Sequence, residues 1–360
     1  MSANGRRIRV LVVEDSATVR HHIRDVLASD PDIDIAGMAE DGARAIELCQ
    51  RTRPDVITMD MMLPGVNGLA ATEYIMAHFP TPILVVSSST NRAELLSTCQ
   101  ALAAGAVDVL EKPNGGASDT SWAPTLRSTV KLVSRIPVIT HPRGRLGASA
   151  RVSHVDTPPE PVPRRPCRLV AIGASTGGPG AVVDLLRQLP ADFAATILLV
   201  QHISAPFAAA FAAWLGEQVG RPAGYAHHGQ PLAAATGRVL VAPPDRHLVV
   251  RADRLHLTAD PERHSCRPSI DVLFESVARE CGPGAVGCLL TGMGRDGAAG
   301  LLAMRRAGCH TLAQDEATSI VYGMPREAAQ LGAAHEILAP VQIGRRLAHL
   351  SASVSLRGEP

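Results

Sequence analysis

The sequence predicts an α/β protein made of two doubly wound, parallel-sheet units. Three observations predict it. Short apolar runs alternate with segments of helical period through residues 8–112, and again from Arg168 onward. The polar residues that interrupt this pattern fall directly after the apolar runs, at the strand ends where such sheets gather their sites. Between the two patterned stretches the composition changes: residues 114–167 hold eight of the 27 prolines, and from 127 to 168 nine Arg or Lys face two acids. A chain of 360 residues is long for one domain and comfortable for two. The expected division is a first unit at 1–125, a stiffened, basic, largely structureless linker at 126–167, and a second unit at 168–350.

In the first unit, Ile8 to Val13 reads as a strand ending at Glu14-Asp15-Ser16. Val19, Ile23, Val26 and Leu27 then share one helical face. Ile33 to Ala36 is a second strand and Ala43 to Cys49 a second helix. Asp55 to Met59 is a third strand, ending at Asp60 and a Pro64-Gly65 turn. Ile83 to Val86 runs into Ser87-Ser88, and Val107 to Leu110 runs into Lys112-Pro113.

The second unit begins with Leu169-Val170-Ala171-Ile172, a sharp turn of small residues around Ser175, and a helix over Ala181 to Leu189. Thr196 to Val200 is a strand ending at Gln201-His202, and Phe207 to Val219 is helical. Arg238 to Ala242 is a further strand. His247 to Thr258 alternates as a hairpin does, and Ile270 to Cys281 has helical spacing. Val286 to Leu290 is a buried strand that ends in a turn carrying Asp296. Cys309 to Ala313 and Glu336 to Ala339 complete a mainly parallel sheet.

Composition excludes several classes. A formal net charge of +1 gives no bulk attraction to nucleic acid or to an anionic membrane, and 3% aromatics leave little for base stacking. The seven cysteines lack C-x-x-C spacing, which fits reduced thiols better than zinc or disulfide frameworks. The N-terminal MSANGRRIRV has no apolar leader core and no run approaches 18 apolar residues, so a cytoplasmic protein without membrane insertion is expected.

Two constellations carry chemistry. Glu14, Asp15 and Asp60 at successive strand ends would repel one another unless they surround a hard cation, and a carboxylate-and-water site suits Mg²⁺. A carboxylate beside such a metal can accept a phosphoryl group, with Ser87 and Lys112 placed to hold its oxygens. In the second unit, strands end at Ser175, His202 and Asp296. A hydroxyl nucleophile needs a base within hydrogen-bonding reach, and that base needs a carboxylate to fix its tautomer. Gly173-Ala174-Ser175-Thr176-Gly177 fits the G-x-S-x-G elbow, with the following helix N-terminus available to an oxyanion. The other reading of Gly173–Gly178 is a phosphate-cradling turn, which would make the chain a receiver-controlled nucleotide-binding regulatory module. Against it, Ser175 replaces the second Gly of G-x-G-x-x-G and no Walker Lys follows.

Residues 8–113 resemble the receiver domain of two-component response regulators, a flavodoxin-like fold, through LVVEDS, DVITMDMMLPGVNGL, VVSS and GAVDVLEKP. By this resemblance Asp60 is the phospho-acceptor, Glu14 and Asp15 help hold Mg²⁺, Ser87 is the switch hydroxyl and Lys112 the phosphate contact. Val109 stands where receivers often carry an aromatic. Residues 168–340 are similar to the catalytic domain of chemotaxis-type protein-glutamate methylesterases, through AIGASTGGPGA, LLVQHI, VAPPDRHL, RPSIDVLFESVA, LLTGMGRDGAAGL and AQDEATSIVYGMPREA. The whole resembles the CheB family of response-regulator methylesterases. The resemblance implies Ser175 as nucleophile, His202 as general base and Asp296 as its orienting carboxylate. Thr176 and Met293 are implied to line the site and to offer N–H groups to the oxyanion. Cys266 stands where the family often has His. The implied substrates are glutamate methyl esters of methyl-accepting chemotaxis receptors, together with receptor glutamines for deamidation. The implied phosphodonor is a chemotaxis histidine kinase, and the esterase itself is expected to need no cofactor.

Overall fold

The computed structural model describes residues 6–88, 91–113, 122–136, 138 and 167–352. The first unit alternates β1 (Ile8–Val13), α1 (Ala17–Ala28), β2 (Ile33–Ala39), α2 (Gly42–Thr52), β3 (Val56–Met59), α3 (Gly68–His78), β4 (Ile83–Ser87), α4 (Arg92–Ala103), β5 (Asp108–Glu111) and α5 (Trp122–Val133). Four of its helices start at short polar residues whose side chains accept a first-turn N–H: Ser16, Asp41, Asn67 and Asn91. The five strands form a parallel sheet in the order β2-β1-β3-β4-β5. An apolar cluster covers each face.

Helix α5 buries Trp122, Leu126, Val130 and Val133 against the cluster containing Ile23 and Leu27. The packed body of the first unit therefore reaches Ile136, past residue 125 where the sequence reading ended it. Val130 and Val133 keep their helical spacing across the compositional change, and with Ile136 they extend this packing as their spacing allows. Most of the expected linker lies outside the described residues.

The second unit runs through β6 (Leu169–Ala174), α6 (Gly178–Leu186), β7 (Thr196–Gln201), α7 (Ala205–Val219), β8 (Ala223–Tyr225) and β9 (Val239–Val241). It continues with β10 (His247–Arg251), β11 (Arg254–Thr258), α8 (Ile270–Cys281), β12 (Ala285–Leu289), α9 (Ala298–Arg306), β13 (His310–Gln314), α10 (Met324–Gln330), β14 (Glu336–Leu338) and α11 (Pro340–Ala352). Seven strands form one sheet in the order β14-β13-β12-β6-β7-β9-β8, with every pair parallel. The expected hairpin, β10–β11, is antiparallel and forms a separate two-stranded sheet. From β6 the chain winds toward β7, whereas from the neighbouring β12 it winds the other way. The reversal opens a crevice at the strand C-termini, where ligands bind in such sheets.

The two units share apolar packing. Helix α4 lies on α6 and α7. Its Cys99 and Ala103 belong to the cluster around Leu185, Phe211 and Trp214, while Phe207 and Ala210 of α7 belong to the cluster around Ile75 and Leu95.

Candidate active site

Ser175 follows β6 directly, at the turn into α6. Its N–H donates to the Thr291 carbonyl (3.0 Å), and its own carbonyl accepts from Gly178 N–H (2.8 Å) and from Gln201 Nε2 (2.9 Å). Gly177 supplies the positive φ of 75° that closes the turn. A Cβ on Gly178 would meet Gln201 Oε1 at 2.3 Å, and one on Gly177 would meet the Ile320 side chain at 2.5 Å. Protein side chains thus fill the space against these glycines, which disfavours the phosphate-cradling alternative.

His202 follows β7, with its N–H on the Ala174 carbonyl (3.0 Å) and its own carbonyl held by the same Gln201 amide (3.0 Å). Asp296 follows β12 and is 2% exposed. Its Oδ1 accepts from Ser269 Oγ (2.8 Å) and Asp271 N–H (3.1 Å), and its Oδ2 accepts from Ile270 N–H (2.8 Å) and His202 Nε2 (3.0 Å). The Ile270 and Asp271 N–H groups open α8, so the carboxylate sits at that helix's positive end. Burial works against the charge, but His202 and the Ile270 and Asp271 N–H groups outweigh it and hold the carboxyl below its usual range. An ionised carboxylate only accepts, so the imidazole proton lies on Nε2 and Nδ1 is the nitrogen available as base.

Burial also opposes a charge on His202. The Asp296 hydrogen bond and the neighbouring Cys266 outweigh it, and the imidazole is pushed up to about 9. Cys266 Sγ lies 3.9 Å from Nδ1. Among the described residues no direct Ser175–His202 hydrogen bond forms. Both side chains line one cavity of about 320 Å³. Thr176 lines it too, whereas Met293 packs beside Ile320 and Val321, outside the cavity wall.

The first unit supplies part of that wall. Leu102 of α4, Val107 just before β5, and Asp108 and Val109 of β5 face the same cavity as Ser175 and His202. Asp108 is exposed there and accepts from Val109 N–H (2.8 Å), while the protein crowded around its carboxyl raises it.

The carboxylate centre of the first unit also assembles. Ligand oxygens of Glu14, Asp15 and Asp60 all lie within 4.8 Å of one another. Lys112 Nζ bridges Glu14 Oε2 (2.9 Å) and Asp60 Oδ2 (3.0 Å), but neither oxygen receives a well-directed hydrogen bond. Burial, reinforced by Asp60, pushes Glu14 up to about 7; burial likewise raises Asp60. Crowded all-oxygen donors, with Glu14 and Asp60 buried and Asp15 open to solvent, fit Mg²⁺. Ser87 is turned away from Asp60: its Oγ donates to Glu94 Oε1 (2.8 Å) and accepts from Thr98 Oγ1 (3.2 Å), both on α4.

Sequence reasoning missed Ser269 and Gln201. Ser269 caps α8 by accepting from Val272 N–H and also donates to Asp296. Its signal was present in the Ser-x-x-x helix start of RPSIDVLF, but a cap reads as local until the turn bearing Asp296 is seen to dock on it. Gln201 precedes His202 and clamps two strand ends at once, a role visible only after β6 and β7 pair.

Residues 170–347 match the CheB methylesterase family and residues 10–118 the response regulator receiver domain family. A protein-glutamate methylesterase/protein-glutamine glutaminase of Anaeromyxobacter dehalogenans is 42% identical over 98% of this chain and 99% of its own. One of the same description from Nitrosospira multiformis is 43% identical over 98% of each. The Thermotoga maritima CheB methylesterase catalytic domain covers 51% of this chain and 98% of its own, at 29% identity and a TM-score of 0.49. A receiver is thus joined to a CheB methylesterase domain over nearly the full length of both curated relatives, and the chain belongs to the protein-glutamate methylesterase/protein-glutamine glutaminase family.

Proposed function

We propose that this protein hydrolyses glutamate γ-methyl esters on methyl-accepting chemotaxis receptors, and deamidates receptor glutamines, under control of phosphorylation at Asp60. The observation that carries the reading is the chain of contacts from Asp296 through His202 into a cavity that also holds Ser175. Ser175 Oγ attacks the ester carbonyl as His202 Nδ1 takes its proton. The imidazolium then gives that proton to the departing methoxide, releasing methanol. Water, deprotonated by the same nitrogen, cleaves the acyl-enzyme and leaves glutamate and free Ser175. With a glutamine the first leaving group is ammonia. Thr176, which lines the cavity with Ser175, and the N-terminus of α6 are the donors we assign to the oxyanion; Met293, away from the cavity wall, supports that role less well.

Glu14, Asp15 and Asp60 would hold Mg²⁺, which screens the charge of an incoming phosphoryl group. Asp60 supplies the accepting oxygen. Lys112, now bridging Glu14 and Asp60, stands ready for the phosphate oxygens, and Ser87 would leave Glu94 to join them. That exchange pulls on α4, the helix seated on α6 and α7 beside the catalytic cavity. Uncovering the site for a macromolecular substrate is the regulatory step this supports, with a histidine kinase as phosphodonor. Among the described residues no helix is long and apolar enough to cross a membrane. The enzyme of this proposal works in the cytoplasm and meets receptor tails at the membrane surface.

Methanol release from membranes bearing methylated receptors, with and without a small phosphodonor, tests the reading. Wild-type protein is expected to release methanol faster with the donor and Mg²⁺. Asp60→Asn is expected to keep the basal rate and lose the increase. Absence of methanol release from any methylated receptor preparation would sink the esterase reading, and an Asp60→Asn protein that still responds would sink the control.

A further inference from the structure

The catalytic cavity contains a side chain for which the esterase chemistry has no task. Cys266 lies in the loop before α8 and lines the cavity with Ser175 and His202. Its thiol donates weakly to the His264 carbonyl (3.4 Å), and its Sγ is 3.9 Å from His202 Nδ1. Bonds of about 2.3 Å to sulfur and about 2.0–2.1 Å to nitrogen at a tetrahedral metal put those two atoms about 3.6 Å apart. The observed spacing therefore needs only a small side-chain adjustment to admit a cation between them.

The far side of the imidazole is already arranged as behind a metal-bound histidine. Asp296 lies within 4.8 Å of the other two groups, but its oxygens are taken by four donors, so it is not itself free to ligate. It instead receives the Nε2–H and fixes the ring with Nδ1 turned toward sulfur, as second-layer carboxylates do at zinc sites. The remaining coordination positions open to the cavity that Ser175 also lines.

We propose that Cys266 Sγ and His202 Nδ1 form an inhibitory site for a soft or borderline divalent cation, Zn²⁺ above all. The proposal rests on His202 being the esterase's base. Binding exchanges the thiol proton for the metal, Cys–SH + Zn²⁺ giving Cys–S–Zn⁺ + H⁺, with no change of oxidation state. The metal then occupies the lone pair that would accept the Ser175 proton, and hydrolysis stops until the metal is withdrawn. Mg²⁺, which prefers oxygen ligands, is directed to Glu14, Asp15 and Asp60 instead. One chain thus carries an activating hard-cation centre and a silencing soft-cation centre.

Full-length protein titrated with Co²⁺ alone reads the site without reference to activity, because a thiolate–Co²⁺ bond absorbs in the near ultraviolet. The expected result is a band in wild type that excess Zn²⁺ removes and that Cys266→Ala lacks. In methanol release, each protein compared with its own metal-free rate, Zn²⁺ should inhibit wild type at least tenfold more potently than Cys266→Ala, and a chelator should reverse it. Cys266→His is expected to keep zinc sensitivity without the thiolate band. A wild type without the band, or a Cys266→Ala protein with the band or with undiminished zinc sensitivity, overturns the proposal. Methanol release unaccompanied by the band would sink this site alone, whereas a Cys266-dependent band on a protein that releases no methanol would sink the esterase reading and leave the metal site standing.

Discussion

Asp296 Oδ2 lies 3.0 Å from His202 Nε2, so the nitrogen that faces the catalytic cavity is Nδ1. This relationship decides which atom can act as base.

Replacing Ser175 with Ala should leave a folded protein whose methanol release is lower by roughly 10⁴ or more, the scale of nucleophile removal in hydroxyl hydrolases. His202→Ala should cost nearly as much, and the double variant little more than either alone. Rates of all three on one receptor preparation check this. Wild-type-like turnover by Ser175→Ala would remove the nucleophile from its role.

An unperturbed imidazole would place the acid limb of the pH profile near ~6–7. The structure moves that expectation upward. Asp296 and Cys266 face the ring and hold it protonated up to about 9. Only the neutral ring can take the Ser175 proton, so the rate should climb about tenfold per pH unit below that value and level off above it. Cys266→Ala removes one of the raising influences and should shift the limb to lower pH. Profiles of kcat/KM from pH 6 to 10 in a chelator decide it; a limb that stays put in the variant contradicts the assigned cause.

Ser269 Oγ donates to Asp296 Oδ1 and accepts Val272 N–H at the start of α8. Ser269→Ala should therefore lower stability by about 0.5–2 kcal/mol, the usual cost of a lost cap. It should also lower kcat with little change in KM, because it loosens the carboxylate rather than the substrate. Denaturant midpoints and steady-state kinetics separate the two effects. Unchanged kcat would confine Ser269 to capping.

If the receiver closes the site, deleting residues 1–140 should raise the basal rate. An open population of ~1–10% in the intact protein corresponds to about tenfold to a hundredfold. The shortened protein should also ignore phosphodonor. Because α6 and α7 would then expose apolar surface now covered by Cys99 and Ala103, Glu94→Gln in the full chain offers a second measurement. It weakens the Ser87 contact without removing the domain, and should shift the basal rate in the same direction. A slower truncated enzyme, together with an unmoved Glu94→Gln rate, would argue for a receiver that assembles the site rather than covers it.

Much of this was legible in the residue order. Ser175, His202 and Asp296 each follow an apolar run, and parallel pairing of β6, β7 and β12 necessarily gathers their ends. The carboxylate centre was legible for the same reason. What escaped detection depends on packing between segments distant in sequence. Strand β8 spans three residues, too few for a period, and α10 covers only seven residues, Met324–Gln330, about two turns. The docking of α4 was hidden because Cys99 and Ala103 look like any helix's own core positions; nothing in their spacing says that the covering surface belongs to another domain. Cys266 was noticed as a departure, but its nearness to Nδ1 follows from how residues 263–268 fold back before α8.

Leu102, Val107, Asp108 and Val109 form one wall of a chamber whose opposite wall performs the chemistry. The two halves are therefore not interchangeable parts. A receiver grafted from another response regulator would bring its own phospho-acceptor and still accept phosphate, yet it would present foreign side chains to Ser175 and His202 and a foreign α4 to α6 and α7. Such a chimera would be left permanently unshuttered or permanently jammed, whichever way the new surface fits. If the receiver covers the site, a substitution on α4 or β5 should register in ester hydrolysis, and one on α6 or α7 in the response to phosphodonor.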